Sequence, residues 1–253
     1  KKLGIKIGNI SPLRHPSGRA AIFGGIDESF IHKIQIHGVE TTKEEIINWL
    51  NYFREHGEEP IYMKSQKKSK NLINLANSLK KRFPILVKEI IGNYDINYNN
   101  TLKQFNLYKK ILIAPKIKNK IEIEKQKPFA VYFLHVQPER TVDVISPYNS
   151  SQIELIKNIR RALPHNINFF IKEHPSIYGA QDKNFYKELS KIPHVSLINK
   201  KQNTIDIIKN AKIVFTISGT VAMESSILKI PSIIFSDVYI KDMPYVYSVK
   251  TPE

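Results

Sequence analysis

Buried strands alternate with amphipathic helices in the second half of the chain, and this alternation restricts the fold more than any other feature. Short apolar runs recur there, each followed by a segment with helical spacing. Such alternation predicts an α/β fold with a doubly wound parallel sheet, whose strand carboxyl ends share one edge. The predicted strands are 129–134, 168–172, 195–198, 213–217 and 232–235, and the predicted helices are 151–163, 184–191, 204–210 and 221–228.

The stretch from Ile213 to Leu228 is predicted to form an anion site. A buried strand leads through Ser218-Gly219-Thr220 into a segment with helical spacing. That turn brings two hydroxyl groups, backbone N–H groups and the positive end of a helix to one point, and phosphate is the usual occupant. Glu224, one helical turn after Thr220, is placed to accept hydrogen bonds from a ribose. The alternative is a tight turn in which Thr220 caps the helix and Glu224 faces solvent.

Composition narrows the class of partner. The chain has 253 residues, a formal net charge of +16 and no cysteine, which excludes disulfides, thiol catalysis and cysteine zinc sites. The charge fits acidic substrates, an anionic membrane surface or nucleic acid. Because the lysines are dispersed and no RNP-type motif occurs, nucleic acid is the least favoured of these. The sparse, unclustered carboxylates predict no metal site, and we expect a cytoplasmic protein, peripheral to the inner face of the cell membrane.

A domain boundary is predicted near Pro128. Residues 116–127 carry alternating charge and little apolar pattern, as linkers do. Residues 1–127 are then a smaller, irregular α/β region, and residues 128–253 are a Rossmann-like domain. The chain opens without methionine and stops without an obvious finishing element, so we expect it to be a piece of a longer protein.

Within the first region, one helix is predicted in detail. Thr42 and Glu45 form a capping box before an amphipathic segment that Gly57 closes, with Trp49 and Phe53 on its core face. A strand near 30–36 and a helix over about 70–83 are also predicted, from alternating and helical spacing respectively.

Polar loops follow the predicted strands of the second region. The residues with candidate roles there are His135, Gln137, Glu139 and Arg140 after the first strand, and Lys172, His174 and Pro175 after the second. Imidazole and ammonium groups suit a phosphate, so His174 and Lys172 are candidate donors. His135 and Glu139 suit acid–base work or sugar contacts, although either can instead satisfy backbone groups in a tight turn, and His174 can instead cap the next helix. The first strand lacks a G-x-G-x-x-G motif, and no Walker lysine motif occurs, which disfavours dinucleotide oxidoreduction and P-loop ATP hydrolysis.

Three ordered motifs carry a family resemblance. Residues 132–140, Lys172-Glu173-His174-Pro175, and 216–220 with Glu224 resemble the nucleotide-binding half of bacterial capsule and surface-polysaccharide biosynthesis proteins, which are similar to GT-B glycosyltransferases. The His-Pro and Ser/Thr turns also resemble those of polysialyl- and Kdo-transferases, which use CMP-activated acidic sugars. Residues 146–149 replace an expected Gly-Gly, although Gln152 fits the position that follows.

The resemblance implies a metal-independent glycosyltransferase that needs no cofactor and binds a nucleotide-sugar donor and a saccharide or glycolipid acceptor. In such an enzyme, residues 128–253 are the nucleotide-sugar-binding domain, and residues 1–127 supply all or part of an acceptor lobe. It implies phosphate contacts for Lys172, His174, Pro175, Ser218, Gly219 and Thr220, a ribose contact for Glu224, catalytic roles for Glu139 and His135, and substrate contacts for Gln137 and Arg140. Three alternatives stay open: a nucleotide-sugar epimerase or hydrolase on the same fold, a non-catalytic nucleotide- or polysaccharide-binding module, and a nucleic-acid binder driven by charge.

Overall fold

The computed structural model describes residues 9–12, 20–23, 41–58, 84, 120–121, 128–139, 141–175, 181–199 and 202–249. The predicted strand at 30–36, the helix over 70–83 and Arg140 lie outside these residues.

The described elements follow one another in a regular order. The strands are β1 (Asn9–Pro12), β2 (Ala20–Phe23), β3 (Lys120–Ile121), β4 (Phe129–Phe133), β5 (Asn168–Lys172), β6 (Val195–Ile198), β7 (Ile213–Thr216), β8 (Ser232–Ile234) and β9 (Val246–Ser248). The α-helices are α1 (Lys43–His56), α2 (Gln152–Ala162), α3 (Lys183–Leu189), α4 (Thr204–Asn210) and α5 (Val221–Ile227). A π-helical turn (Thr141–Ile145) and 3-10 turns at Pro147–Asn149 and Tyr239–Asp242 complete the described helices. From β4 onward, every predicted strand and helix is present, with ends that differ by at most two residues.

Seven strands form one parallel sheet in the order β3-β6-β5-β4-β7-β8-β9, while β1 and β2 pair separately and antiparallel. From β4 the chain first moves outward through β5 to β6, then returns past β4 to β7 and continues through β8 to β9. The sheet is therefore doubly wound, as predicted, and the direction reverses between β4 and β7. Ligands of such sheets bind beyond the carboxyl ends of the strands at this reversal.

Both faces of β4 are buried, and its side chains alternate between them. Phe129, Val131 and Phe133 pack with α4 on one face, while Ala130 and Tyr132 pack with α2 on the other. Every residue of the strand is less than 9% exposed, which explains why the sequence shows a continuous apolar run and no polar alternation.

Helix α1 begins and ends as the sequence predicts. The Thr42 N–H donates to Glu45 Oε2 at 2.9 Å, and the Glu45 N–H donates to Thr42 Oγ1 at 3.2 Å, which forms the capping box. Gly57 closes the helix with a positive φ of 71°, in the region that favours glycine, and donates its N–H to the Phe53 carbonyl.

Two segments that precede the predicted boundary pack on the sheet domain. Phe53 of α1 is fully buried among Met223 and Ile227 of α5, and Arg54 Nε donates to the Ile227 carbonyl at 2.9 Å. Strand β3 extends the sheet as its edge, paired with β6. The division at residue 128 stays a prediction, but α1 and β3 attach to the second unit.

Candidate functional site

Three predicted site residues lie at the same level beyond the sheet, around the point where its winding reverses. Tyr132 of β4 pairs with Ile171 of β5 on one side and Phe215 of β7 on the other. His135, His174 and Ser218 each follow these paired positions by three residues. Because β5 and β7 are the neighbours of β4, the loops that carry His174 and Ser218 begin on either side of the loop that carries His135.

The ring of His135 bridges the loop after β4 and the turn after β7. Its Nε2 lies 2.9 Å from Thr216 Oγ1, and it also receives the backbone N–H groups of Ile217 and Ser218 at 3.2 and 3.3 Å. A backbone N–H can only donate, so Nε2 accepts and the ring proton of the neutral imidazole is on Nδ1. Nδ1 lies 3.8 Å from Glu139 Oε2, and His135 is only 8% exposed.

The turn after β7 is compact, and Gly219 lies in close contact with Thr216. Gly219 donates its N–H to Thr216 Oγ1 at 3.1 Å, and a Cβ added at Gly219 would lie 2.6 Å from that oxygen. Among the residues described, the buried hydroxyl of Ser218 has no hydrogen-bond partner. This hydroxyl therefore has its full donor and acceptor capacity available.

The alternative interpretation of this turn is half right. Thr220 is the N-cap residue of α5, although its side chain makes no capping hydrogen bond. Glu224 is 6% exposed and so does not face solvent. Both residues lie at the edge where the phosphate and ribose contacts are predicted, and those roles stay predictions.

Gln152, at the start of α2, organises the loop after β4. Its Oε1 accepts the His135 N–H at 2.8 Å and the Tyr132 hydroxyl at 3.1 Å. Its Nε2 donates to the His135 carbonyl at 3.1 Å and to Gln137 Oε1 at 2.8 Å. Two acceptor and two donor positions are thus all used, inside a side chain that is 2% exposed. The family position was the single sequence signal for this role.

The other side chains of this loop are tied to their own surroundings. Gln137 Nε2 donates to the Ser150 carbonyl at 2.7 Å, so both ends of the predicted substrate-binding amide are engaged. The Glu139 N–H donates to Asp143 Oδ2 at 2.8 Å, while the Glu139 carboxylate is 35% exposed. Glu139 is therefore the predicted catalytic side chain of this loop with direct access to solvent.

Residues 146–149, which stand where a Gly-Gly is expected, form hydrogen bonds to the end of β8. Ser146 Oγ donates to the Phe235 carbonyl at 2.6 Å, and Asn149 Nδ2 donates to the same carbonyl at 3.0 Å. Ser236 Oγ, next in the chain, donates to the Ile217 carbonyl at 2.7 Å. Ser146 and Asn149, which depart from the family pattern, therefore connect the loop after β4 to the end of β8, and Ser236 connects that end to the turn after β7.

The motif after β5 is anchored by the residues that precede its histidine. Lys172 is buried and donates from Nζ to the carbonyls of Asn199 and Gln202 at 2.9 and 3.0 Å. Burial lowers the pKa of Lys172 from 10.5 to about 8, and the neighbouring Glu173 carboxylate opposes part of that shift. Glu173 is also buried and accepts the hydroxyl of Tyr186. Lys172 thus fastens the loop after β6, and a contact with phosphate stays a prediction.

Half-buried His174 and exposed Pro175 follow these anchored residues at the edge. In the part of the chain that the structure describes, no group of three or more histidines and carboxylates is arranged to hold a metal ion. Within the same residues, no helix combines the length and apolarity that crossing a membrane requires.

The sequence matches a family described as "Capsule polysaccharide biosynthesis protein" over residues 41–239. This span includes α1, the sheet from β3 to β8 and every predicted site residue. The chain belongs to this family. The resemblance carried by the three motifs is thereby confirmed.

Solved structures give weaker similarities to this member of the capsule polysaccharide biosynthesis family. The KpsC beta Kdo 2,7 transferase of Thermosulfurimonas dismutans shares 18% identity over 61% of this chain and 47% of its own, with a TM-score of 0.39. A UDP-GlcNAc 2-epimerase from Methanocaldococcus jannaschii shares 18% over 60% and 39%, with a TM-score of 0.36. E. coli heptosyltransferase WaaC with ADP shares 13% over 50% and 38%, with a TM-score of 0.33. The match covers about half the length of the KpsC structure and a smaller share of the other two structures. No curated protein matches the chain.

Proposed function

We propose that this chain is the nucleotide-sugar-binding part of a glycosyltransferase that assembles capsular or other surface polysaccharide. One observation supports the proposal most directly. In a chain of the capsule family, the residues expected to bind nucleotide phosphate follow β5 and β7, the two neighbours of β4, beside the point where the sheet winding reverses. Doubly wound sheets bind nucleotides at that point.

In this proposal, His174 and the hydroxyls of Ser218 and Thr220 hold the phosphate, while Glu224 holds the ribose. The buried Ser218 hydroxyl, which has no partner among the described residues, is suited to a phosphate oxygen. These donors stabilise the negative charge that builds on the departing nucleotide, without a metal ion. Glu139, the more exposed carboxylate, contacts the sugar or the acceptor hydroxyl, and alignment of that hydroxyl against the anomeric carbon supplies the rest of the rate enhancement.

The donor we favour is a CMP-activated acidic sugar, and the acceptor is a saccharide or glycolipid. The net charge of +16 supports attraction to acidic sugars and peripheral contact with an anionic membrane that carries the acceptor. No cofactor is proposed.

A thermal-shift comparison of CMP, UDP, GDP and ADP tests the nucleotide site, because a ligand that binds the folded state raises its stability. The preferred nucleotide is then supplied as a sugar donor with saccharide acceptors, and transfer is measured for wild type, His174→Ala and a control, His165→Ala. His165 is exposed in the turn after α2. We expect the first variant to lose transfer and the control to retain it.

The alternatives predict different products. An epimerase or hydrolase converts the donor when no acceptor is present, and a non-catalytic module binds nucleotide without turnover in any mixture. A nucleic-acid binder shows salt-sensitive affinity for any duplex. Absence of binding to all four nucleotides would contradict the proposed site.

A further inference from the structure

His135 carries one hydrogen-bonding arrangement that the proposed function does not use. Three donors converge on its Nε2: the Thr216 hydroxyl and the N–H groups of Ile217 and Ser218. The Thr216 oxygen in turn accepts the Gly219 N–H, so it is free to direct its own proton to the ring. Four consecutive residues of the turn after β7 are therefore linked, directly or through Thr216, to one imidazole nitrogen.

The opposite side of His135 is held just as firmly. Its backbone N–H and carbonyl are both bonded to the Gln152 amide, which is itself fixed by Tyr132 and Gln137. His135 thus joins a loop anchored on α2 to the turn that leads into α5. These two helices cover opposite faces of the sheet, and they diverge where the winding reverses.

This geometry leaves His135 without the lone pair that a general base requires. The lone pair of Nε2 is directed at the turn, and Nδ1 carries the proton. If Nε2 were protonated, its N–H would point at the backbone N–H groups of Ile217 and Ser218. Those two groups would then have no acceptor on the ring.

We propose that His135 is a positioning residue: a neutral imidazole, protonated on Nδ1, that shapes the turn carrying Ser218, Gly219 and Thr220 for a nucleotide phosphate. This inference rests on the proposed function for the ligand, and it replaces the acid–base role that the sequence suggests for His135. Glu139 then remains the loop's group for direct substrate contact.

The tautomer is measured without any ligand. Nitrogen-15 NMR of labelled protein separates Nδ1–H, Nε2–H and doubly protonated rings, and the signal missing from His135→Gln identifies this histidine among the eight in the sequence. We expect the Nδ1–H form at about pH 8, above the ordinary pKa of histidine. An Nε2–H ring or an imidazolium at that pH would overturn the proposal. Since this readout needs no substrate, it stands even if the proposed transferase activity fails.

Rescue by a conservative variant gives the second test. A glutamine oxygen reaches the position of Nε2 and accepts the two amide hydrogens, whereas alanine leaves them unpaired. We expect His135→Gln to keep nucleotide affinity and transfer within about tenfold, and His135→Ala to lose about tenfold to hundredfold in affinity. A His135→Gln variant with unchanged affinity but a kcat reduced by about 10²-fold to 10⁴-fold would show acid–base catalysis and refute the inference. If His135→Ala does not fold, the glutamine variant and the NMR spectrum still decide the question.

Discussion

Replacing Gln152 with leucine should lower the free energy of unfolding by more than the loss of one hydrogen bond would. The amide makes four hydrogen bonds, and its removal leaves the His135 N–H, the His135 carbonyl, the Tyr132 hydroxyl and Gln137 Oε1 without this partner. Leucine fills a similar volume, so the loss is polar and leaves little cavity. A buried polar group left unsatisfied costs about 1–3 kcal/mol, and relaxation toward other partners reduces the sum. We expect a loss of about 3–6 kcal/mol from a total that is typically about 5–15 kcal/mol.

Denaturant unfolding followed by the fluorescence of Trp49, the single tryptophan, measures this loss as a lower midpoint at unchanged slope. Glu154→Gln is the matched control, because it lies on the same helix and removes an exposed 2.8 Å ion pair to Lys157, whose loss should change stability little. If Gln152→Leu costs no more than this control, the amide does not organise the loop.

Three further predictions concern other parts of the domain. Lys172 has a pKa of about 8 in the folded state, against 10.5 in the unfolded state, so the unfolded state binds more protons between these two pH values. As pH rises through this range, the free energy of unfolding of wild type should increase by up to about 3 kcal/mol relative to that of Lys172→Met, measured by denaturation at each pH. Phe53→Ala should cost about 3–5 kcal/mol because this side chain is fully buried, while Tyr52→Ala, at an exposed neighbour, should cost little in the same assay. Gly219→Ala should weaken nucleotide binding by about tenfold or more in calorimetry, since its Cβ would meet Thr216 Oγ1 at 2.6 Å; equal affinity would contradict the compact turn.

The architecture of the second half follows from its sequence because each element is encoded locally. A strand such as β4 is apolar at every position, and a helix such as α2 has its apolar residues at helical spacing. The capping box of α1 is equally local, with both partners three residues apart. Handedness then places the strand ends on one edge, which is why His135, His174 and Ser218 were predicted to gather there.

Longer-range features could not be derived in the same way. The packing of Phe53 against α5 and the pairing of β3 with β6 join segments that lie far apart in the sequence, and no local pattern encodes such partners. Side-chain direction was equally inaccessible. A phosphate contact is predicted for Lys172 because ammonium groups favour anions, but no sequence pattern shows that this group also donates to two backbone carbonyls.

The position and the shape of the candidate site have separate physical origins. Position follows from strand order, because α2 and α5 lie on opposite faces and the loops that lead to them part between β4 and β7. A gap between diverging loops exposes backbone N–H groups. Water in such a gap would accept hydrogen bonds from these groups as readily as a ligand would. Here the imidazole of His135 accepts the N–H groups of Ile217 and Ser218, while the Ser218 hydroxyl has no hydrogen-bond partner among the described residues. In the proposed site, chemical selectivity would then depend on His135, a side chain that need not touch the ligand.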